Sequence, residues 1–437
     1  RTGEKEGLEE FIERALAAFP NASDATRHYR LPQAPLFRRI AMRCFWTSLL
    51  QEEGRSPRFK ILYCERNQLS DLMAEAPTFG KYYEFQKPLE GSATEILKAA
   101  IAASYPQSLI CMTTDKRGTK LLIHGFLNVG SLREKFFLND ARQEALLPGC
   151  LIVASNAPGH LTIHLGDRGI IGFDRGVGFS ATMDLLTSPA LKEEFSEVLA
   201  EIRSSLPDRL QADISSQNHR ESIVTFFLKI IDEIIFNIFQ KRHGGIFLLV
   251  PERLYSLAKG DLKFRNTLKP ATVWNAFLEL PTLIPGIFMQ GLPFKDRLKL
   301  FHSSLTSASG QVLDASKLLE TVRRLREFTD FAASLSQVDG AVIMTTKLEI
   351  AGYGAEIRVN GRILPPTFLY TDGGPERIDP LIFGTRHRST IRFCRKFPGA
   401  IGFVFSQDGG IKAIKGHKDH VMIFPEINRM RYDFFTG

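Results

Sequence analysis

Apolar positions recur along this chain in two rhythms, one spaced three and four residues apart and the other alternating or continuous over four to eight residues, so helices and strands are mixed throughout. In the first half, the spacing predicts a helix over Leu8 to Phe19 and another over Ala41 to Gln51. Short apolar runs predict strands at Leu109-Ile110-Cys111-Met112, Leu121-Leu122-Ile123-His124, Leu151-Ile152-Val153-Ala154 and Leu161-Thr162-Ile163-His164-Leu165. The glycine-spaced run that follows, Gly166, Gly169, Gly172, Gly176 and Gly178, fits neither G-x-G-x-x-G nor a P-loop and suits turns between short strands. His160 and His164 share a strand face only if that strand is continuous, and two histidines without a third ligand make a weak metal site.

A polar stretch from Ser204 to Asn218, with Pro207 and Ser215-Ser216-Gln217, reads as a linker. Beyond it, Arg220 to Lys241 is predicted helical. Its apolar part, Ser222 to Gln240, is broken by Lys229, Asp232 and Glu233, too many charges for a membrane span. The paired glycines Gly244-Gly245 then open a buried strand ending at Pro251, and a further helix is expected from about Asp314 to Leu335. The expected organisation is therefore an α/β domain over residues 1–215, a second α/β domain with a mixed sheet flanked by helices over 220–425, and a tail over 426–437.

Three strings in the second half carry candidate chemistry. Val338-Asp339-Gly340-Ala341-Val342-Ile343-Met344 predicts a buried strand with an aspartate at its mouth, where a carboxylate can hold a hard cation such as Mg²⁺ or Mn²⁺. Alone, Asp339-Gly340 reads more readily as a turn opening a hairpin than as a metal site. Gly384-Thr385-Arg386-His387-Arg388-Ser389 opens a predicted helix with Thr385 as N-cap, and Pro398-Gly399 stops it. Cations in a first turn oppose the helix dipole, which makes sense if an anion such as a triphosphate docks there. A basic surface turn is the plain structural reading of the same residues. Finally, Ala400 to Ser406 predicts a strand, with Gln407-Asp408-Gly409-Gly410 as turn and Ile411 to Ile414 as its returning partner.

Taken together, these strings and their order resemble the signature of diadenylate cyclases, enzymes that join two ATP molecules into cyclic di-AMP. The resemblance covers roughly residues 220 to 425. It implies that Asp339 binds metal and helps activate the attacking 3′-hydroxyl, with Gly340 and Ala341 lining the nucleotide. Gly384, Thr385, Arg386, Arg388, Ser389 and Ser406 would hold phosphate and ribose, and His387 would touch phosphate or metal. The resemblance extends to a strand ending in a Ser-Glu or Ser-Gln pair that reaches phosphates or metal: this chain has Ser406-Gln407, and where the Glu form of relatives supplies a metal ligand, the neutral Gln407 leaves a metal more dependent on Asp339 and the phosphates. The family chemistry implies a homodimer, because each domain holds one ATP and two must face each other. Some such enzymes carry a sensor-like domain ahead of the catalytic one, and residues 1–215 are similar to it in size and position, which implies an unknown signal ligand there. The separation of Asp339 from Arg386, 47 residues by their numbers, is longer than in compact relatives. The surplus is expected between Asn360 and Phe383, where Pro365-Pro366, Asp372-Gly373-Gly374-Pro375 and Pro380 mark loop.

Charge sharpens the picture more than composition does. Of 56 Lys+Arg and 48 Asp+Glu, residues 216–437 hold 30 and 21, leaving 26 and 27 for residues 1–215, so the whole basic excess lies in the half with the anion-binding strings. Nucleic acid is the competing partner for such a surface, yet no nucleic-acid-binding motif is present. An inactive nucleotide-binding module stays open as the alternative to catalysis. Cys44, Cys64, Cys111, Cys150 and Cys394 are odd in number and unclustered, which argues against disulfides and zinc and for a reducing, cytoplasmic setting. No secretory leader is visible, and the chain opens at Arg1 rather than Met, so its native start is expected upstream.

Overall fold

The computed structural model describes residues 7–19, 31–133, 147–166, 168–180, 183–206, 217–283, 315–359, 366–371, 373–406 and 410–435. The fold is α/β, with two separate mixed sheets. They belong to two compact units, residues 1–181 with 429–437, and residues 182–428. The division differs from the expected domains: helices Pro189–Glu194 and Ser196–Ser204 fall in the second unit, and the expected tail contains helix Arg429–Phe435, which belongs to the first. Most of the expected linker, 207–216, lies outside the described residues.

The first sheet is built from β1 (Phe59–Tyr63), β2 (Lys81–Glu90), β3 (Ser108–Thr114), β4 (Leu121–Asn128), β5 (Leu151–Ser155), β6 (His160–Leu165), β7 (Arg168–Asp174) and β8 (Val177–Ser180), in the order β2-β4-β3-β1-β5-β6-β7-β8. Helices Leu8–Ala18 and Ala34–Ser48 cover one face, where Phe11, Phe37 and Ile40 pack with Ile61, Val153, Ile163 and Phe173. The second helix begins seven residues before the expected Ala41, because Pro35 sits in its first turn, where its missing N–H costs nothing. β6 is continuous, so His160, Thr162 and His164 do share a face, and all three are buried. Gly169, Gly172, Gly176 and Gly178 of the glycine run fall in the β7–β8 hairpin, which turns at Arg175-Gly176 with both φ positive, and Gly166 follows β6.

In the second unit the strands are β9 (Gly245–Val250), β10 (Leu262–Lys263), β11 (Asn266–Thr272), β12 (Ala341–Thr345), β13 (Glu349–Ile357), β14 (Thr367–Thr371), β15 (Gly374–Ile378), β16 (Ile401–Phe405), β17 (Ile411–Gly416) and β18 (Val421–Phe424). Their order is β10-β13-β12-β9-β16-β17-β18-β14-β15, with β11 also on β13. The region expected to be loop between Asn360 and Phe383 includes the β14–β15 hairpin, and β14 runs parallel to β18. Pro375 sits in β15 at the sheet margin, where a missing N–H is tolerated, and Pro380 opens a short 3-10 turn.

Helix Thr385–Lys396 packs Ile391, Phe393 and Cys394 onto the sheet face carrying Ile246, Leu248, Ile343 and Val404. It sits close because Gly402 lacks a side chain: a Cβ there would lie 2.2 Å from Thr390 Cγ2. On the opposite face Phe403 meets Phe247 and Phe195. Helix Gln217–Gln240 buries Lys229 and Asp232, the charges that argued against a membrane span. Asp232 accepts a hydrogen bond from Asn428 Nδ2 at 2.6 Å. Among the described residues no helix is long and apolar enough to cross a membrane.

Candidate functional site

Strand pairing brings the three strings to one end of the second sheet. β12 runs parallel to β9 with Ala341 opposite Ile246, and β16 runs antiparallel to β9 with Phe405 opposite Gly245. Residues just before β12 (Asp339-Gly340), just before β9 (His243-Gly244) and just after β16 (Ser406) therefore share an end. Gly340 shapes it: its φ is +118°, and a Cβ would lie 2.5 Å from the carbonyl carbon of Gly354, so no other residue closes this turn without strain. Asp339 is presented beside that turn with its carboxylate in solvent.

Helix Thr385–Lys396 delivers its first turn to the same end. Arg386 Nη2 lies 3.6 Å from Asp339 Oδ1, with the two side chains 41% and 80% exposed, so the pair adds little stability and both groups stay open to a ligand. A Cβ at Gly244 would sit 2.7 Å from Arg386 Nη1, so the bare glycine backbone makes room for the guanidinium. The N-cap is Gly384 rather than the expected Thr385, and no side chain caps the helix, because the chain enters extended at Gly384 and Thr385 already has helical geometry. The first-turn N–H groups of Thr385, Arg386 and His387 thus lack a side-chain cap, as an anion site at a helix start requires.

His387 stacks on Phe383, with ring centroids 5.1 Å apart, and its Nε2 is buried without a hydrogen-bond partner. Burial first, then the positive charges of Lys412 and Arg386, hold its pKa down to about 4, so the ring is neutral near pH 7. A neutral imidazole can accept a hydrogen bond or ligate a cation at the free nitrogen. Ser389 and Thr390 turn their hydroxyls back, donating to Arg386 O at 3.0 and 2.8 Å, which braces the first turn. Arg388 is half-buried in that turn, and its N–H bonds Gly384 O at 3.1 Å. Ser406 is half-buried and donates its N–H to Gly410 O at 2.9 Å, closing the β16–β17 connection. Gln407 lies outside the described residues.

Sequence reasoning missed Gly244 and Lys412 as members of the site. Lys412 pairs with Val404 across β16–β17, which puts it on the sheet face that carries the Thr385–Lys396 helix. A lysine between the apolar Ile411 and Ala413 of the returning strand was the available signal. Among the described residues no group of three or more His, Cys, Asp or Glu is gathered as a metal cage. Asp339 alone suits a hard cation that keeps its waters and takes its remaining ligands from phosphates.

In the other unit, a comparison with family models decides the context. Residues 26–128 match the model described as probable sensor domain DACNV. This is a sensor domain associated with diadenylate cyclases. The match lies within the first unit, covers β1 to β4, and does not reach residues 182–428. No curated protein matches the chain.

Proposed function

We propose that this chain is a diadenylate cyclase, condensing two ATP into cyclic di-AMP and two pyrophosphates under the control of its N-terminal unit. The observation that carries the reading is the meeting of Asp339, Gly340, Gly244 and the first turn of the Thr385–Lys396 helix at one sheet end, in a chain whose other unit carries a DACNV match. Arg386 and Arg388, with the uncapped N–H groups, bind and neutralise the triphosphate, and Gly340 and Ala341 let the nucleotide approach the backbone. Gly384, Thr385, Ser389 and Ser406 complete the cradle. Neutral His387 accepts a hydrogen bond or a cation contact at Nε2. Asp339 would hold Mg²⁺ or Mn²⁺ together with the phosphates, and the cation when bound offsets charge on the transferring oxygens. In keeping with the diadenylate cyclase resemblance, one domain would present one nucleotide, and ring closure needs the ribose hydroxyl of a second copy's ATP at its α-phosphorus. Positioning and charge neutralisation then supply most of the rate.

The test is incubation of the full chain with ATP and Mg²⁺ or Mn²⁺, with products separated by chromatography. Cyclic di-AMP and pyrophosphate are expected from the parent. ATP binding without either product, at concentrations where the chain is dimeric, would instead identify a nucleotide-responsive module.

A further inference from the structure

The first sheet buries an ionisable seam on the face away from helices Leu8–Ala18 and Ala34–Ser48. Lys60 on β1 is 1% exposed, and its Nζ donates to Tyr105 O at 2.8 Å. His164 on β6 is 0% exposed, and neither ring nitrogen has a hydrogen-bond partner. The lid over both is the last helix of the chain. Phe434 stacks on His164 at 4.2 Å and lies 4.6 Å from Lys60 Nζ. Next to it, Asp433 accepts from His160 Nε2 at 3.1 Å and from Asn156 Nδ2 at 3.2 Å, and its carbonyl accepts from Tyr105 Oη at 2.9 Å. Arg429 Nε lies 3.5 Å from the same carboxylate, and the Arg429 guanidinium also bonds Asp174.

We propose that this seam is the site at which the N-terminal unit reads protons, and that protonation releases helix Arg429–Phe435 from the sheet. The inference stands apart from the proposed catalysis. Seven residues cannot hold a helix alone, so its order depends on docking. What it docks against is unusual: a histidine with no acceptor in reach, facing the Lys60 ammonium from β1, His160 along β6 and the Asp433 carboxylate from the helix itself. A proton on His164 would be a buried imidazolium beside Lys60, with only Asp433 to offset it. Release lets water reach the ring. The helix follows β18 after only Pro425 to Asn428, and Asn428 is pinned within the second unit by Asp232 and by Leu185 N, 2.7 Å from its Oδ1. Undocking therefore changes the restraint on the segment leaving the second sheet.

The sign follows from burial. His164 is held down to about 3 in the docked state, first by desolvation and then by Lys60 and His160, against an ordinary value of 6.5. A base depressed on docking favours docking fully above its ordinary value and progressively less below it, so release sets in as pH falls below about 6.5. Lys60, held down to about 7 by burial, acts in the same direction above pH 7 and adds little below it.

Hydrogen exchange of the full chain, corrected for intrinsic rates, tests this. Protection of residues 429–435 is expected to fall on the order of tenfold between pH 7.5 and 5.5, the factor for a group titrating near 6.5 only when released. His164→Phe keeps a ring under Phe434 and removes the proton site, and should retain its protection at pH 5.5. A tenfold fall persisting in His164→Phe, or no fall in the parent, overturns the proposal. Should that variant not fold, Phe434→Ala serves instead: protection of 429–435 should already be lost at pH 7.5 while β5 and β6 stay protected, and a helix still protected in Phe434→Ala refutes docking through this seam.

Discussion

At the end of the second sheet, Asp339 and Arg386 stand 3.6 Å apart with 80% and 41% of their side chains exposed, whereas in the first unit Lys60 and His164 are sealed beneath Phe434, with Asp433 buried next to it. The residue types are much the same, and the surroundings give them different work. Exposed charges at a sheet end cost little to hold ready and are free to meet an anionic ligand. Burial holds Lys60 and His164 well below their ordinary values, so their protonation is tied to whether the last helix stays in place.

The contrast can be broken most directly at the sheet end. Asp339→Asn and Arg386→Ala should each lower cyclic di-AMP formation by at least about a hundredfold while moving the thermal midpoint by little, since an exposed pair is worth about 0–1 kcal/mol. Equal product from both variants and the parent would end the site assignment. Next in size is the buried seam. Replacing Lys60 by Met should remove a pH dependence on the order of a few kcal/mol between pH 7 and 10, because a lysine held down to about 7 makes the parent gain stability as pH rises toward its ordinary 10.5. Denaturant unfolding at the two pH values reads it, and parallel curves for parent and variant would show that Lys60 is not desolvated. Gly340→Ala should cost about 2 kcal/mol and distort the turn beside Asp339, given its φ of +118°. Unchanged stability together with full turnover would remove Gly340 from the account. At the small end, Arg323 is exposed and bonds Glu320 and Glu327 one turn to either side, so Arg323→Ala should change stability by less than about 0.5 kcal/mol in the same unfolding assay.

Much of this was legible in sequence where one local rule governs. The glycine pair before β9, the alternation in β16 and β17, and the helix starting near Thr385 all follow from periodicity and turn residues. The Ala34–Ser48 helix was read from Ala41 onward, although its first turn accepts Pro35 and the helix starts there. β14 was read as loop because Pro365-Pro366 and Asp372-Gly373-Gly374-Pro375 flank it, while the partner that makes it a strand, β18, lies more than fifty residues further along the chain. Gly244 and Lys412 escaped the site because nothing local says that one clears space for Arg386 and the other shares a sheet face with His387.

By itself, the sequence determined the α/β class and which short strings carry carboxylate, guanidinium and glycine, since these depend on residue type and spacing. Only the tertiary structure decided that β9, β12 and β16 lie side by side so that three distant strings share one end. It alone placed the chain's final helix on the first sheet, over His164 and Lys60. Strand order and helix docking are set by long-range burial, which sums over residues far apart in the chain and leaves no local pattern to read.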